Sequence, residues 1–356
     1  MLKKKTLLVS LFLFPIILSV VGSIFVFEAS AVRSFRELGD SWHYFRQQLI
    51  WIGIGITVLF VFSAVDYHRW YAVTFPLMIL TIILLFVVLL PGVGTVAGGA
   101  RRWISIGFIN IQPTELAKFS TILYLSSWFI HRERKRFFSF VLLLCLLMFL
   151  IFLQPDMGTA IVVFGLSTGL YFLSGIELHY LLLLLPTSFV SFLFLVNVSP
   201  YRFRRLLAFF DPSKDPLGIT YHINQILISL TSGGLLGKGF GASRQKFLFL
   251  PEAHTDSIFA IIGEEVGFVG SFLLITAFMV YAYRLFQVSR FAKDRYGKLI
   301  AGGIFIFFNL QLLINLAGMV HLLPLTGVPL PFISYGGSHL IVSFALAGIM
   351  INIARQ

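Results

Sequence analysis

The segment LPEAHTDSIFAIIGEE carries carboxylates at positions where they could do chemistry. Asp256 stands where a polar stretch gives way to an apolar helix. Glu264 and Glu265 follow eight and nine residues later, about 12 Å deeper along a helix. A carboxylate at such a boundary has two roles open to it. It can cap the first turn of the helix, a common use of Asp, or act as a general base or cation ligand at a membrane surface. At their depth Glu264 and Glu265 must face a bundle interior or a cavity, holding helices together or serving chemistry.

A second cluster lies in GGARRWISIGFINIQPTELAKFS. Arg101 and Arg102 precede Trp103, a pattern that suits either surface anchoring or contact with an anion. Pro113 fits the first turn of a helix. Glu115 and Lys118, three apart, share one face and can pair; Lys118 lies deep enough to need that partner or a function. The glycine stretch SGGLLGKGFGAS fails as a phosphate loop, because Ser232 and Gly239 stand where Gly and Ser or Thr are required. Its glycines read instead as backbone approaching a headgroup or a neighbouring helix closely. TGVPLPFISYGGSHL reads as a re-entrant turn flanked by His321 and His339, which suit packing or hydrogen bonding better than metal ligation. Asp156, after Gln154-Pro155, can cap the next helix. Arg101, Arg102, Lys118, Asp156 and Asp256 all fall at one membrane level. A carboxylate among cations at an interface suits a lipid-linked phosphate or diphosphate.

Apolar helices must position these residues. Of 356 residues, 58% are apolar and 12% charged, against roughly 25% charged in a soluble domain. The long apolar runs lack the period-two alternation of an outer-membrane barrel. The fold expected is all-α and integral to the membrane: a polytopic bundle of about ten transmembrane helices in a single domain, 1–356. Spans fall near 6–27, 45–65, 70–90, 113–130, 137–153, 157–174, 178–198, 257–283, 299–320 and 336–353. The first is too long for a signal peptide and reads as an uncleaved helix. Basic short loops put both termini on the cytoplasmic side of the membrane, and the candidate site on the outer side. Residues 199–256 form one long extracytoplasmic loop, opening with the cationic and aromatic YRFRRLLAFF and continuing into an amphipathic YHINQILISL. The net charge of +12 points to anionic lipid rather than nucleic acid. Cys145, the one cysteine, is a packed or lipid-facing hydrophobe.

The segments GARRWISIG, QPTELAKFS, QPDMGTA, SGGLLGKGFGASRQKFLFLPEAHTD, IIGEEVGFVG and PLPFISYGGS resemble, in order and nearly end to end, the SEDS family of bacterial peptidoglycan polymerases. GASRQK and TGVPLPFISYGG look closer to its division (FtsW) branch than to its elongation (RodA) branch. The resemblance implies a ten-helix glycosyltransferase that polymerises lipid II with a class B penicillin-binding transpeptidase, among other divisome or elongasome proteins. The family's essential aspartate matches Asp256, and its important lysine matches Lys118. Thr114, Ser257, His339 and Gly99 depart from the family's usual residues, none of them at Asp256, Lys118, Arg101 or Arg102.

Joining a β-1,4 glycan from an α-linked undecaprenyl diphosphate inverts the anomeric carbon. One carboxylate suffices for that, since no covalent intermediate forms. Asp256 is the candidate base, or the ligand of a divalent Mg or Mn ion, with Lys118 beside it in the catalytic set. Arg101, Arg102, Glu115, Gln245, Lys246 and His254 are candidate substrate contacts. A rival reading, a lipid II flippase, would place charges along a midplane pathway; here Glu264 and Glu265 are the main exceptions to charges gathered at one interface. A scaffold role is compatible with the enzyme.

Overall fold

In the computed structural model the described residues are 2–97, 100–107, 109–131, 137–175, 179–184, 186–188, 203, 209–210 and 219–356. The chain is a polytopic helical membrane protein. Among the described residues, six helices are long and apolar enough to span. Helix α1 (Leu2–Leu38), α2 (His43–Ala64) and α3 (Trp70–Val87) lead to a small sheet. After it come α4 (Pro113–Trp128), α5 (Phe137–Leu153), α6 (Met157–Leu173), α7 (Ile219–Ser232), α8 (Ile258–Phe291), α9 (Arg295–Met319) and α10 (Gly337–Arg355). Nine of the ten expected spans coincide with one of these helices. The seventh, 178–198, lies mostly outside the described residues, as does YRFRRLLAFF at the start of the long loop. The amphipathic YHINQILISL is helical as expected, within α7.

Two boundaries differ from expectation. Helix α1 runs past the expected end at residue 27 to Leu38, 37 residues in all. At the usual rise that is about 55 Å, nearly twice a bilayer core of about 30 Å. Nothing breaks it before Gly39, whose positive φ of 71° ends the helix. Its last turns therefore carry Glu28, Arg33, Arg36 and Glu37 beyond the apolar stretch. The second difference is a three-stranded antiparallel meander, β1 (Gly94–Ala97), β2 (Ala100–Ile106) and β3 (Ile109–Ile111), between α3 and α4. Ile104 faces Ile111 and Ile106 faces Ile109 across β2 and β3. The alternating isoleucines around Gly107 are the period-two signal that a search for spans passes over.

The core is built on α8, α9 and α10, where Ile300, Ile304, Phe307, Phe344 and Leu346 are fully buried. Phe332, in the re-entrant segment 320–336, is buried with them. Small residues let α2 and α10 meet backbone to side chain. A Cβ at Gly55 would stand 2.2 Å from Phe344, and one at Gly348 would stand 2.6 Å from the Leu59 carbonyl oxygen. Both termini lie at one end of the bundle, where Lys4 donates to the Arg355 carbonyl at 2.8 Å. Asn352 there accepts from the Tyr67 amide and donates to the Ser63 carbonyl.

Candidate active site

Asp256 sits at the other end. Ser257, not Asp256, occupies the N-cap position of α8, and its own side chain makes no capping hydrogen bond. The N-cap position weighed for Asp256 is thus taken by the next residue. Asn315, near the end of α9, donates to the Asp256 carbonyl at 2.8 Å and to the Val328 carbonyl at 2.9 Å, pinning Asp256 to the re-entrant segment. The half-buried carboxylate faces Gly327, where a Cβ would come within 3.6 Å of Asp256 Oδ2. Thr255 Oγ1 lies 3.1 Å from Asp256 Oδ1 and 3.1 Å from Glu252 Oε2. This donor set is all oxygen, as a hard cation prefers. Among the described residues no group of three His, Cys, Asp or Glu gathers, so substrate or water would have to complete the coordination.

Lys118 is buried in α4, its ammonium 2.6 Å from Glu115 Oε1 and 5.8 Å from the centre of the Phe307 ring of α9. His339, in the first turn of α10, places Nδ1 3.7 Å from Glu115 Oε2. Ser338 beside it accepts from the Gln112 amide and donates to the Asn110 carbonyl, tying the start of α10 to β3 and α4. The two arginines of β2 diverge, as neighbours on a strand must. Arg102 is half-buried and donates to the carbonyls of Gln154 and Pro155, at the end of α5. Arg101 is exposed. Asp156 caps α6, accepting from the Thr159 amide at 3.1 Å and its hydroxyl at 2.9 Å. The start of α6 meets the same re-entrant segment as Asp256: a Cβ at Gly158 would stand 2.5 Å from the Thr326 carbonyl oxygen. Asp256, Asp156 and Arg102 thus converge on segment 320–336 and the elements beside it, with the Lys118 cluster at the start of α10.

Glu264 and Glu265 belong to a different construction. Helix α8 breaks at Gly267 (φ 67°, ψ −166°), and the glycine-rich loop packs into the break. Lys238 and Gly239 donate their amides to the carbonyls of Glu264 and Glu265, and Phe268 and Val269 donate theirs to Gly234 and Leu235. The Glu264 carboxylate is 2.7 Å from Lys238 Nζ and accepts from the Ser243 hydroxyl at 2.6 Å and from the amides of Arg244 and Gln245. The loop does cradle an anion, and that anion is Glu264. The close-approach reading of its glycines holds: a Cβ at Gly237 would stand 2.1 Å from the Glu265 carbonyl oxygen.

The remaining candidates lie on this loop and on the segment leading from it to α8. Lys246 is 2.7 Å from Glu28 of α1 and donates to the Gly241 carbonyl. Gln245 is buried, its Oε1 without a hydrogen-bond partner among the described residues. His254 packs between the rings of Tyr44 and Tyr335, at 4.8 and 5.5 Å. Burial pushes its pKa down to about 4, leaving it neutral at neutral pH. Lys246 and His254 line a cavity of about 560 Å³ together with Arg33, Arg36, Glu37 and Glu252. Asp256, Lys118, Arg101 and Arg102 do not line it. Sequence reasoning missed Asn315, the clamp on Asp256. Its one signal was an amide side chain, costly unless partnered, near the end of an apolar span.

A clamped carboxylate and a buried Lys–Glu pair thus stand at one end of a helical membrane bundle as its candidate site. The chain belongs to the FtsW/RodA/SpoVE family of cell cycle proteins, which matches residues 8–356. It is 38% identical over 352 residues to stage V sporulation protein E of Bacillus subtilis, covering 97% of this chain and 96% of that one. It is 38% identical over 345 residues to a protein of Coxiella burnetii named probable peptidoglycan glycosyltransferase FtsW, covering 94% and 93%. Among solved structures, it resembles a chain from work on the structural coordination of polymerization and crosslinking by a peptidoglycan synthase complex. That likeness has a TM-score of 0.79 and 28% identity over 97% of this chain and 96% of that chain. The rod shape determining protein RodA of Thermus thermophilus matches with a TM-score of 0.71 and 25% identity, over 97% and 95%.

Proposed function

We propose that this chain is a peptidoglycan glycosyltransferase that polymerises lipid II at the outer face of the cytoplasmic membrane, in cell division. In the reaction, the acceptor hydroxyl attacks the anomeric carbon of the donor and the bond from that carbon to the diphosphate oxygen breaks. Undecaprenyl diphosphate leaves, and Asp256 takes the hydroxyl proton. The observation that carries the assignment is the placement of Asp256: outside the cap position, held through its carbonyl by Asn315, its carboxylate turned to the re-entrant segment. Arg101, exposed and charged, is the contact we assign to the leaving diphosphate. Arg102 holds β2 against the end of α5, which sets where Arg101 stands. Lys118 supplies buried positive charge, balanced by Glu115 until substrate arrives. A divalent cation, where used, would be held by Asp256 and substrate phosphate oxygens and would stabilise developing negative charge.

The synthase-complex neighbour, in which polymerization and crosslinking are coordinated, supports a transpeptidase partner, here taken as a class B penicillin-binding one; the basic short loops support cytoplasmic termini for this chain. The test is Asp256→Asn in purified protein supplied with lipid II. Glycan strands should vanish while the thermal unfolding midpoint stays within about 2 °C, since no cap is lost. Normal polymerisation by this variant would remove Asp256 from the reaction.

A further inference from the structure

A second concave site lies far from Asp256. It is a groove of about 620 Å³ between the end of α6, the end of α8 and the first half of α9. Arg295, at its mouth, is twenty residues along α9 from Asn315, about 30 Å at the usual rise. The groove therefore opens at the end of the bundle that holds the chain termini. Its walls are Phe172, Leu173, Phe286, Phe305 and Ile306, with Gly169 and Gly302 keeping the floor low. Its rim is basic. Arg295 and Lys298 line the groove, and the chain segment that passes it, residues 284–298, carries Arg284, Arg290 and Lys293 besides, against the single acid Asp294. Arg295 is held in place by the carbonyls of Phe129 and Ser174. Lys298 lines the groove and is exposed, its ammonium without a hydrogen-bond or ion-pair partner among the described residues.

An apolar slot with a cationic mouth, cut between membrane helices at the water boundary, matches the two halves of one kind of molecule. We propose that this groove binds an anionic phospholipid of the adjoining leaflet, an acyl chain along Phe172, Phe305 and Ile306 and the phosphate on Lys298. The charge balance of the rim selects an anionic headgroup over a zwitterionic one. The assignment does not depend on the reaction at Asp256, because the groove and that site share no residue.

Native mass spectrometry of the full-length protein, offered phosphatidylglycerol and phosphatidylcholine with identical chains, tests it. One phosphatidylglycerol should be retained several-fold more tightly than phosphatidylcholine; equal retention overturns the proposal. Lys298→Glu should weaken phosphatidylglycerol binding about fivefold, while Lys5→Glu, at the same end but outside the groove, should leave it unchanged. Equal losses in both would reduce the effect to diffuse surface charge. Ser289→Trp fills the groove from its rim, and among the described residues the Ser289 hydroxyl bonds the Phe286 carbonyl of its own helix alone, so folding is spared. It should abolish the bound lipid at an unchanged unfolding midpoint; retention of the lipid refutes the site. Polyprenyl diphosphate competing at these same residues more tightly than phosphatidylglycerol would reassign the groove to the substrate lipid.

Discussion

Lys118 and Glu115 make each other's burial tolerable, and this governs what their substitution does. A buried pair contributes little net stability, but removing one partner strands the other charge, at about 3–5 kcal/mol. Lys118→Ala should therefore lower the unfolding midpoint sharply, and a loss of activity in that variant would not separate catalysis from folding. The double variant Glu115→Leu with Lys118→Met should recover most of the midpoint. Polymerisation should remain absent from it, because the positive charge has gone; full activity would make the pair purely structural. His254 supports a pH prediction. Its folded pKa of about 4 lies below its ordinary 6.5 because burial disfavours the charged ring. Between those values the unfolded chain binds a proton that the folded chain does not, so stability falls as pH drops from about 6.5 to about 4 and is flat above. Unfolding midpoints measured across that window should show a steeper acid slope in the wild type than in His254→Phe, whose ring keeps the packing against Tyr44 and Tyr335.

At the scale of elements, the glycine-rich loop and the break in α8 form one unit, each satisfying the backbone groups the other leaves unpaired. Two glycines separate the reasons for that composition. Gly237 (φ +82°) combines a left-handed backbone with a contact that admits no Cβ, whereas Gly239 (φ +101°) has the backbone conformation alone, with nothing within 4 Å. Gly239→Ala should cost about 1 kcal/mol, from strain. Gly237→Ala should cost clearly more, since the Glu265 carbonyl cannot yield without unseating the loop. Comparison of their unfolding midpoints checks this, and equal midpoints would mean that close approach contributes nothing.

For the whole molecule, the distribution of charge decides between polymerase and transporter. Glu264 and Glu265 were the charges that a midplane pathway would need. Glu264 is consumed by Lys238, Ser243 and loop amides, and Glu265 accepts from the Ser243 amide with Lys246 3.8 Å away. They bind a loop to a helix. Polymerisation needs no membrane sidedness, whereas transport has no product without two compartments. Purified protein in detergent, with its transpeptidase partner, should therefore convert lipid II to long strands and release undecaprenyl diphosphate. It should stop when a chelator is added and continue in the presence of β-lactams, which acylate only the partner. Detergent preparations inert under every partner and metal condition, alongside liposomes that carry lipid II across, would favour the transporter.

Composition and run length alone determined the helical membrane fold, because an apolar stretch long enough to span has no other stable form in lipid. The sequence also showed where Asp156 caps and that Glu115 can reach Lys118, since both relations are three residues long and set by helix geometry. The long, ordered motifs carried the family. What the sequence left open were relations between residues far apart in the chain. What holds Asp256 against the re-entrant segment is Asn315, fifty-nine residues on. Whether Arg102 was free depended on two carbonyls fifty-two and fifty-three residues on. What the glycine-rich loop cradles depended on Glu264, in a helix that only tertiary packing brings beside it. A side chain's chemistry is local, but which of its hydrogen bonds are already spent is settled only when distant backbone arrives, and that is decided by the packed bundle.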